Sequence, residues 1–179
     1  MRRAVFLDRD GVINKALVVN GTPTPAMAPD QLQILPKVGE SVEMLRLAGF
    51  EIVVVTNQPD VARGNLSKAA VKSIHKRLQS ELQIEHFYTC FHDDLDDCLC
   101  RKPKPGLLSL AAKEIDLDLS NSFLVGDRWK DIAAGQAVGC KCFFIDYSYA
   151  EPYPIMPYKK VQSLFEAVQI ILEGSSWGQ

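Results

Sequence analysis

Short apolar runs alternate with helical patterns along this chain, and this alternation constrains the fold more than any other feature of the sequence. The clearest run is residues 52–55, four consecutive β-branched side chains. A continuous run of this kind is typical of a central parallel strand that is buried on both faces. Further strands are predicted at residues 3–7, 86–89, 123–125 and 142–145.

Helical patterns occupy the intervals between the predicted strands. In the first of them, Val38, Val42, Leu45 and Leu47 are expected on one side of the helix, and Gly49 is expected to end it. The predicted helices cover residues 36–49, 67–82, 105–115, 131–138 and 161–172. Strands that alternate with helices form right-handed βαβ units. The predicted fold class is therefore α/β, with a doubly wound, Rossmann-like parallel sheet.

The sequence predicts a single domain over residues 1–173. Its 179 residues, 47% of them hydrophobic, suit one domain with a full-sized core. The stretches 14–35 and 149–158 are irregular, and loops of such length in a compact domain are usually functional or disordered. The tail at 174–179 is rich in glycine and serine and is expected to be disordered.

Charge and hydropathy argue against nucleic acid and membranes as partners. The net charge of −2 provides no basic surface for a nucleic acid. Asp8 interrupts the apolar start of the chain too early for a signal peptide, and no apolar run approaches the length of a membrane span. We therefore expect a cytoplasmic protein that acts on a small molecule. The expected assembly is a monomer or a small homo-oligomer, which the sequence does not distinguish.

Polar residues follow three of the predicted strands. In open α/β sheets, ligands bind beyond the carboxyl ends of the strands, so these residues are expected to share one site. Asp8 and Asp10 follow the first strand, and residues two apart in an extended segment point to the same side, with Arg9 pointing away. Paired carboxylates there favour a hard divalent cation such as Mg²⁺. An isolated pair of this kind would more often be a solvated turn.

The other two strand ends complete the candidate site. Thr56 and Asn57 offer a hydroxyl and a free backbone N–H at a strand end for a phosphoryl oxygen, although Thr-Asn is also ordinary turn chemistry. Asp127 is a candidate metal ligand. Asp131, about one helical turn further on, is expected behind the ligands, or as a charge that only favours the helix dipole.

Basic side chains for an anionic substrate precede the helix predicted at 105–115. Lys102 is our candidate for the ammonium group that contacts phosphate. Arg101 offers a planar guanidinium for a second anionic or polyhydroxyl group of the substrate. Lys104 is expected at the surface.

A second candidate metal site lies in the segment before these basic residues. Cys90, His92, Cys98 and Cys100 provide three thiolates and one imidazole within eleven residues, which suits a closed tetrahedral Zn²⁺ site with a structural role. The alternative is an exposed histidine with cysteines that only fill space. The remaining pair of cysteines, at 140 and 142, is expected in the core.

The four segments around Asp8, Thr56, Lys102 and Asp127 resemble, in order and spacing, the four motifs of the haloacid dehalogenase (HAD) superfamily of phosphohydrolases. The resemblance implies that Asp8 is a nucleophile that forms an aspartyl-phosphate, and that Asp10 acts as the general acid and then the general base. It also implies Mg²⁺ held by the side chain of Asp8, the backbone carbonyl of Asp10, and Asp127. Thr56 and Lys102 would stabilise the transferring phosphoryl group.

The cysteine pattern followed by C-R-K-P-K-P-G resembles one branch of this superfamily, which contains heptose bisphosphate phosphatases and histidinol-phosphatases. Residues 56–64 resemble that branch's T-N-Q-S-G-x-A-R-G, which implies that Asn57 and Arg63 lie beside the substrate. Pro59-Asp60 departs from the Ser-Gly of that pattern and leaves the substrate open. The implied substrate is a phosphorylated sugar, first of all heptose 1,7-bisphosphate losing its 7-phosphate, with histidinol phosphate as the alternative.

Two other classes of protein remain to be weighed. A catalytically silent binding module, stabilised by zinc, would retain the fold without the chemistry. A polynucleotide phosphatase would need a basic tract to hold the strand, which this sequence lacks. The sequence also lacks an insertion large enough for a separate cap domain, so an open site is expected, walled by residues 14–35 and by the cysteine-containing loop.

Overall fold

A computed structural model describes residues 1–174, except for the side chain of Thr22. The tail at 174–179, predicted to be disordered, therefore lies outside the described residues apart from residue 174. The strands are β1 (Ala4–Leu7), β2 (Leu17–Val19), β3 (Thr22–Thr24), β4 (Glu51–Asn57), β5 (His86–Cys90), β6 (Phe123–Gly126), β7 (Lys141–Ile145) and β8 (Lys159–Val161). The α-helices are α1 (Val38–Leu47), α2 (Lys68–Leu82), α3 (Gly106–Ile115), α4 (Trp129–Ala137) and α5 (Leu164–Leu172).

Six of the strands form one parallel sheet in the order β5-β4-β1-β6-β7-β8. The chain starts in the middle of this sheet and winds outward in both directions, which is the doubly wound topology predicted from the sequence. Strands β2 and β3 form a separate antiparallel hairpin. No helix within the described residues combines the length and the apolarity needed to cross a lipid bilayer.

Alternate side chains of β1 explain how the two faces of the sheet are covered. Val5 and Leu7 belong to a core shared with α1, α2 and α5, whereas Ala4 and Phe6 belong to a core shared with α3 and α4. All four side chains of β1 are inaccessible to solvent. The sheet is therefore a middle layer between two layers of helices, as the continuous apolar strands require.

Helix ends follow the local sequence signals. The hydroxyl of Ser67 accepts a hydrogen bond from the backbone N–H of Ala70 and so begins α2 where the sequence predicts it. In α1, Leu45 is buried as predicted, but Leu47 is 79% exposed. The prediction for Leu47 was wrong because two residues advance a helix by about 200°, which places Leu47 nearly opposite Leu45.

Three further parts of the fold differ from the sequence-based expectation. The helix expected at 161–172 begins only at Leu164, because Val161 ends β8, a strand that the sequence did not reveal. The stretch 14–35, expected to be irregular, contains the β2–β3 hairpin. These strands are only three residues long, too short for a periodic pattern to show.

Candidate active site

The strand register brings three polar strand ends together. Leu7 pairs with Val54 of β4 on one side and with Val125 of β6 on the other. Because the strands are parallel, their carboxyl ends meet at one edge of the sheet, and this places Asp8, the end of β4 at Thr56-Asn57, and Asp127 at that edge. The backbone N–H of Asp8 still donates to the carbonyl of Val125 at 3.0 Å, which fixes the first turn beyond the sheet.

Lys102 lies between two of the carboxylates at this edge. Its Nζ is 2.7 Å from Oδ1 of Asp8 and 2.5 Å from Oδ1 of Asp131, and it also donates to the carbonyl of Val55 at 2.7 Å. The lysine is 2% exposed. A buried ammonium group with three oxygen partners is held in one position, directly beside the candidate nucleophile.

Asn57 holds the backbone of this lysine. The side-chain amide of Asn57 donates to the carbonyl of Lys102 at 3.0 Å and accepts from the N–H of Lys102 at 3.1 Å. We predicted Asn57 as a substrate contact. In the structure its side-chain amide joins the end of β4 to the loop that carries Lys102.

The burial of this cluster shifts its protonation equilibria. Burial raises the pKa of Asp8 to about 6, although the neighbouring ammonium of Lys102 opposes the shift. Burial, together with the negative charge of Asp8, also raises the pKa of Asp127 well above its usual range. Burial by itself lowers the pKa of Lys102, but the carboxylates of Asp131 and Asp8 outweigh it and raise this pKa above the ordinary value. The site therefore favours extra positive charge.

The carboxylates of Asp8, Asp127 and Asp131 fit a divalent cation. Each offers one oxygen, and these oxygens lie within 4.8 Å of one another. When all three are ionised beside Lys102, their charge exceeds that of the ammonium by two, which is the charge of Mg²⁺. Among the described residues, Oδ1 of Asp127 is buried without a hydrogen-bond partner, as expected of an oxygen placed for an ion.

Gly11 leaves the space that Asp127 occupies. Its φ of +91° is accessible to glycine at little cost, and a Cβ at this position would lie 1.9 Å from Oδ2 of Asp127. Glycine is therefore favoured at position 11 for two reasons, the positive φ and the close approach of Asp127.

Asp10 lies apart from the three clustered carboxylates. Its side chain accepts hydrogen bonds from Arg9 at 2.8 Å, from Asn14 at 2.9 Å and from Gln58 at 3.0 Å. Arg9, which we expected to point away, is fully buried and forms an ion pair with Asp10. These donors fix the orientation of the carboxylate at the wall of the same cavity that Asp8 lines.

Thr56 and Gln58 connect this wall to the end of β4. The hydroxyl of Thr56 accepts from the amide of Gln58 at 2.9 Å, and the same amide donates to Asp10. Thr56 also lines the cavity, where its hydroxyl can face a phosphoryl group. Neither Gln58 nor Asn14 was singled out from the sequence, although Gln58 belongs to the T-N-Q segment whose resemblance we noted.

The cavity above these residues has a volume of about 270 Å³. The predicted residues Asp8, Thr56 and Lys102 line its floor, and Arg63 and Arg101 also line it. The β2–β3 hairpin and the residues after it contribute one wall, and the cysteine-containing loop contributes another. The remaining basic side chains that line it are Arg128 and Lys130; the sequence analysis missed both.

The acidic run 93–97 positions Arg63 and Arg101. Arg63 forms an ion pair with Asp93 at 2.6 Å, and Arg101 forms one with Asp94 at 2.8 Å. Hydrogen bonds from Arg63 lower the pKa of Asp93 to about 2. The two arginines are therefore tied to one loop at the rim of the cavity.

The four residues predicted as zinc ligands converge in that loop. The sulfur of Cys100 lies 3.2 Å from that of Cys90 and 3.5 Å from that of Cys98, and 3.3 Å from Nδ1 of His92. Ligand atoms about 3.3 to 3.8 Å apart form the edges of a tetrahedron around Zn²⁺ at its usual bond lengths. These side chains can therefore hold a closed metal site, in which no position remains for water. Cys140 and Cys142 are buried in the core, as predicted.

One further functional candidate was missed by sequence reasoning. The hydroxyl of Tyr149 donates to Oδ2 of Asp127 at 2.9 Å. Tyr149 lies in the long stretch 149–158, whose length suggested a function but whose contacts depend on how the chain returns over the sheet. The sequence around a loop tyrosine does not indicate which distant residue the tyrosine will contact.

Comparisons with known proteins agree with this geometry. Residues 99–151 match a family model described as HAD-hydrolase-like. The D-glycero-beta-D-manno-heptose-1,7-bisphosphate 7-phosphatase of Pasteurella multocida is 34% identical over 152 residues, which are 79% of this chain and 79% of that one. The enzyme of the same name from Pseudomonas aeruginosa is 36% identical over 146 residues, 78% of this chain and 79% of that one.

Solved structures show the same relationship. A crystal structure of D,D-heptose 1,7-bisphosphate phosphatase from B. bronchiseptica, complexed with magnesium and phosphate, matches with a TM-score of 0.85 at 26% identity. The match covers 97% of this chain and 99% of that chain.

The parallel sheet with its carboxylate and lysine cluster defines a HAD-like phosphatase, a hydrolase of phosphoric monoesters. The resemblance drawn from the four motifs and the predicted fold class are thereby confirmed. Within that class, the chain belongs to the family of the D-glycero-D-manno-heptose-1,7-bisphosphate 7-phosphatases.

Proposed function

We propose that this chain removes the 7-phosphate of D-glycero-D-manno-heptose 1,7-bisphosphate through an aspartyl-phosphate formed on Asp8. The observation that carries the proposal is the contact between Asp8 and Lys102 at 2.7 Å on the floor of a cavity rimmed by arginines. The names of the family relatives supply the substrate. We also propose that residues 1–173 act as one domain that carries both metal sites.

The reaction divides into two displacements at phosphorus. In the first, a carboxylate oxygen of Asp8 attacks phosphorus, the bond to the sugar oxygen breaks, and Asp10 gives its proton to that oxygen. In the second, Asp10 accepts a proton from water, the water oxygen attacks phosphorus, and the bond to Asp8 breaks to release orthophosphate. Lys102 and Thr56 stabilise charge on the phosphoryl oxygens in both steps.

Magnesium is proposed as the cofactor of these steps. Asp8, Asp127 and the backbone carbonyl of Asp10 would hold it, with Asp131 behind them as the partner of Lys102. The magnesium-containing structure of the family relative supports this metal. When bound, Mg²⁺ supplies charge neutralisation for the phosphoryl group.

The rim of the cavity supports a substrate with a second anionic group. Arg63 and Arg101 present guanidinium groups that match phosphate geometry, and Lys102 occupies the floor between the rim and Asp8. The ion pairs of Asp93 with Arg63 and of Asp94 with Arg101 engage the acidic and the basic groups alike, so they do not separate the two esters. The names of the family relatives favour the bisphosphate over histidinol phosphate.

A phosphate-release assay with Mg²⁺ tests the proposal. Heptose 1,7-bisphosphate, as both anomers, histidinol phosphate and an aryl phosphate are compared at equal concentration, with Asp8→Asn as the inactive control. We expect the highest kcat/KM with heptose bisphosphate and no turnover by Asp8→Asn. A higher kcat/KM with histidinol phosphate would refute the substrate. Failure to hydrolyse any of the esters would indicate a silent binding module instead.

We further propose that Cys90, His92, Cys98 and Cys100 bind one structural Zn²⁺ per chain. Their convergence within the reach of one ion supports this, and free thiols suit the reducing cytoplasm in which we expect the protein to act. Elemental analysis of the purified protein should find one zinc per chain. Cys98→Ser should lower that content and Cys140→Ser should not. Equal zinc content in both variants would contradict the assignment.

A further inference from the structure

The segment between β7 and β8, residues 146–158, crosses the edge of the sheet where the carboxylates gather. Two of its tyrosines reach back to the site. The hydroxyl of Tyr147 donates to the carbonyl of Gly11 at 2.9 Å, and the hydroxyl of Tyr149 donates to Oδ2 of Asp127 at 2.9 Å. Neither tyrosine belongs to the four motifs that indicate the chemistry.

The two oxygens of Asp127 are in different environments. Oδ2 accepts from Tyr149, and it occupies the space that a Cβ on residue 11 would fill. Oδ1 is buried and, within residues 1–174, has no hydrogen-bond partner. A buried carboxylate oxygen without a partner costs free energy, and a bound cation would remove this cost.

We propose that Tyr149 is a positioning residue for the magnesium site: its hydroxyl anchors Oδ2 of Asp127 and thereby presents Oδ1 to the ion. This inference rests on the proposed magnesium site and adds the residue that orients one of its ligands. Groups that hydrogen-bond to metal ligands fix the ligand's orientation, and their loss typically weakens metal binding by about 10- to 100-fold.

The surrounding contacts hold Tyr149 in place. Its ring lies 5.6 Å from the ring of Tyr147, centroid to centroid. The next residue, Ala150, donates its N–H to the carbonyl of Gly21 at the tip of the hairpin, at 3.1 Å. One residue further, Glu151 forms an ion pair with Arg128.

Arg128 directly follows Asp127 in the chain. The segment is therefore attached to the same turn that carries the ligand, once through the hydroxyl of Tyr149 and once through Glu151. Two attachments to neighbouring residues restrict both the position and the rotation of the carboxylate. An anchor of this kind needs a hydrogen-bond donor at Tyr149, whereas the ring alone supplies only packing.

Tyr149→Phe separates the hydroxyl from the ring. The matched control is Tyr153→Phe, because the hydroxyl of Tyr153 donates to Asp146 at 3.1 Å in the same segment but contacts no proposed ligand. The zinc-loaded proteins are titrated with Mn²⁺, whose free fraction is read by electron paramagnetic resonance. The Mg²⁺ concentration that gives half-maximal turnover is measured in parallel with a phosphate ester.

We expect Tyr149→Phe to bind Mn²⁺ about 10- to 100-fold more weakly and to need correspondingly more Mg²⁺, with kcat at saturating Mg²⁺ and substrate KM close to wild type. Tyr153→Phe should match wild type. Mn²⁺ affinity of Tyr149→Phe within twofold of wild type would overturn the proposal, as would equal weakening in both variants.

Two further outcomes also decide the question. A Tyr149→Phe protein that fails to fold, judged by circular dichroism, would assign the hydroxyl to stability and overturn the positioning role. A wild-type protein that binds no Mn²⁺ would remove the ion that Tyr149 is said to position. Failure of heptose bisphosphate as the substrate is a separate result, because the Mn²⁺ titration contains no substrate.

Discussion

Raising the pH should destabilise the magnesium-free protein, because the buried site favours a protonated Asp8. The pKa of this carboxyl is about 6 in the folded chain, against an ordinary value of 3.8. Between these two pH values the folded protein holds a proton that the unfolded chain has already released. Unfolding therefore releases a proton in this range, and the free energy of unfolding falls as the pH rises.

The size of the effect follows from the shift. A difference of about 2 pKa units corresponds to about 3 kcal/mol, at about 1.4 kcal/mol per unit. The decrease starts near pH 4 and is complete above about pH 6, because these values bracket the ordinary and the folded pKa of Asp8. Asp127 shifts in the same direction and adds to the decrease. Mg²⁺ replaces the proton, so added Mg²⁺ should stabilise the protein at pH 7 and much less at pH 4.5.

Urea unfolding from pH 4 to pH 8 measures this free energy directly. Magnesium is omitted and zinc is left in place, so that only one metal site is varied. Asp8→Asn, which has no proton to lose, should show a decrease about 3 kcal/mol smaller than wild type. Asp30→Asn, which removes an exposed carboxylate, is the control and should follow wild type. Parallel pH curves for wild type and Asp8→Asn would refute the reasoning.

Three further predictions concern single positions. Lys102→Met leaves the buried carboxylates without their ammonium, so the free energy of unfolding in urea should fall by about 3 to 5 kcal/mol and turnover should be lost; a fall below about 1 kcal/mol would contradict the buried cluster. Gly11→Ala places a Cβ 1.9 Å from an oxygen of Asp127, so kcat/KM should fall about 100-fold, and near-normal activity would show that the turn can adjust. Leu45→Ala should lower the free energy of unfolding by about 2 to 5 kcal/mol, whereas Leu47→Ala, at 79% exposure, should change it by less than about 0.5; similar losses would disprove the orientation of α1.

Sequence patterns predicted most of the fold because parallel α/β proteins leave strong local signals. The run at 52–55 predicted a strand buried on both faces, and the cap at Ser67 located the start of α2. The short strands escaped prediction because a strand of three residues, such as β8, has no periodicity to read. Its place in the sheet depends on the partner β7, which precedes it by more than a dozen residues.

The candidate site was likewise predicted only in part from the sequence. The residues proposed to perform the chemistry, Asp8, Lys102 and Asp127, were singled out in sequence because each follows a predicted strand or forms part of a spaced motif. Asn57 and Asp131 were also singled out, but their contacts with Lys102 were not predicted, and Tyr149 was missed, because these contacts join segments that are distant along the chain. The ion pair that the buried Arg9 forms with Asp10 was not predicted, because alternation along an extended backbone gives the side of a residue but not its partner.

Periodicity and spacing over short distances were enough to predict the fold class, the acidic residues at the strand ends and the four side chains that converge in the cysteine-containing loop. The contacts among the site residues came from the folded chain: Asp131 shares Lys102 with Asp8, Asn57 holds the backbone of that lysine, and Tyr149 faces Asp127. A hydrogen bond across the sheet edge depends on where two separate segments meet. That meeting is set by strand register and loop packing, for which neither segment carries a local signal.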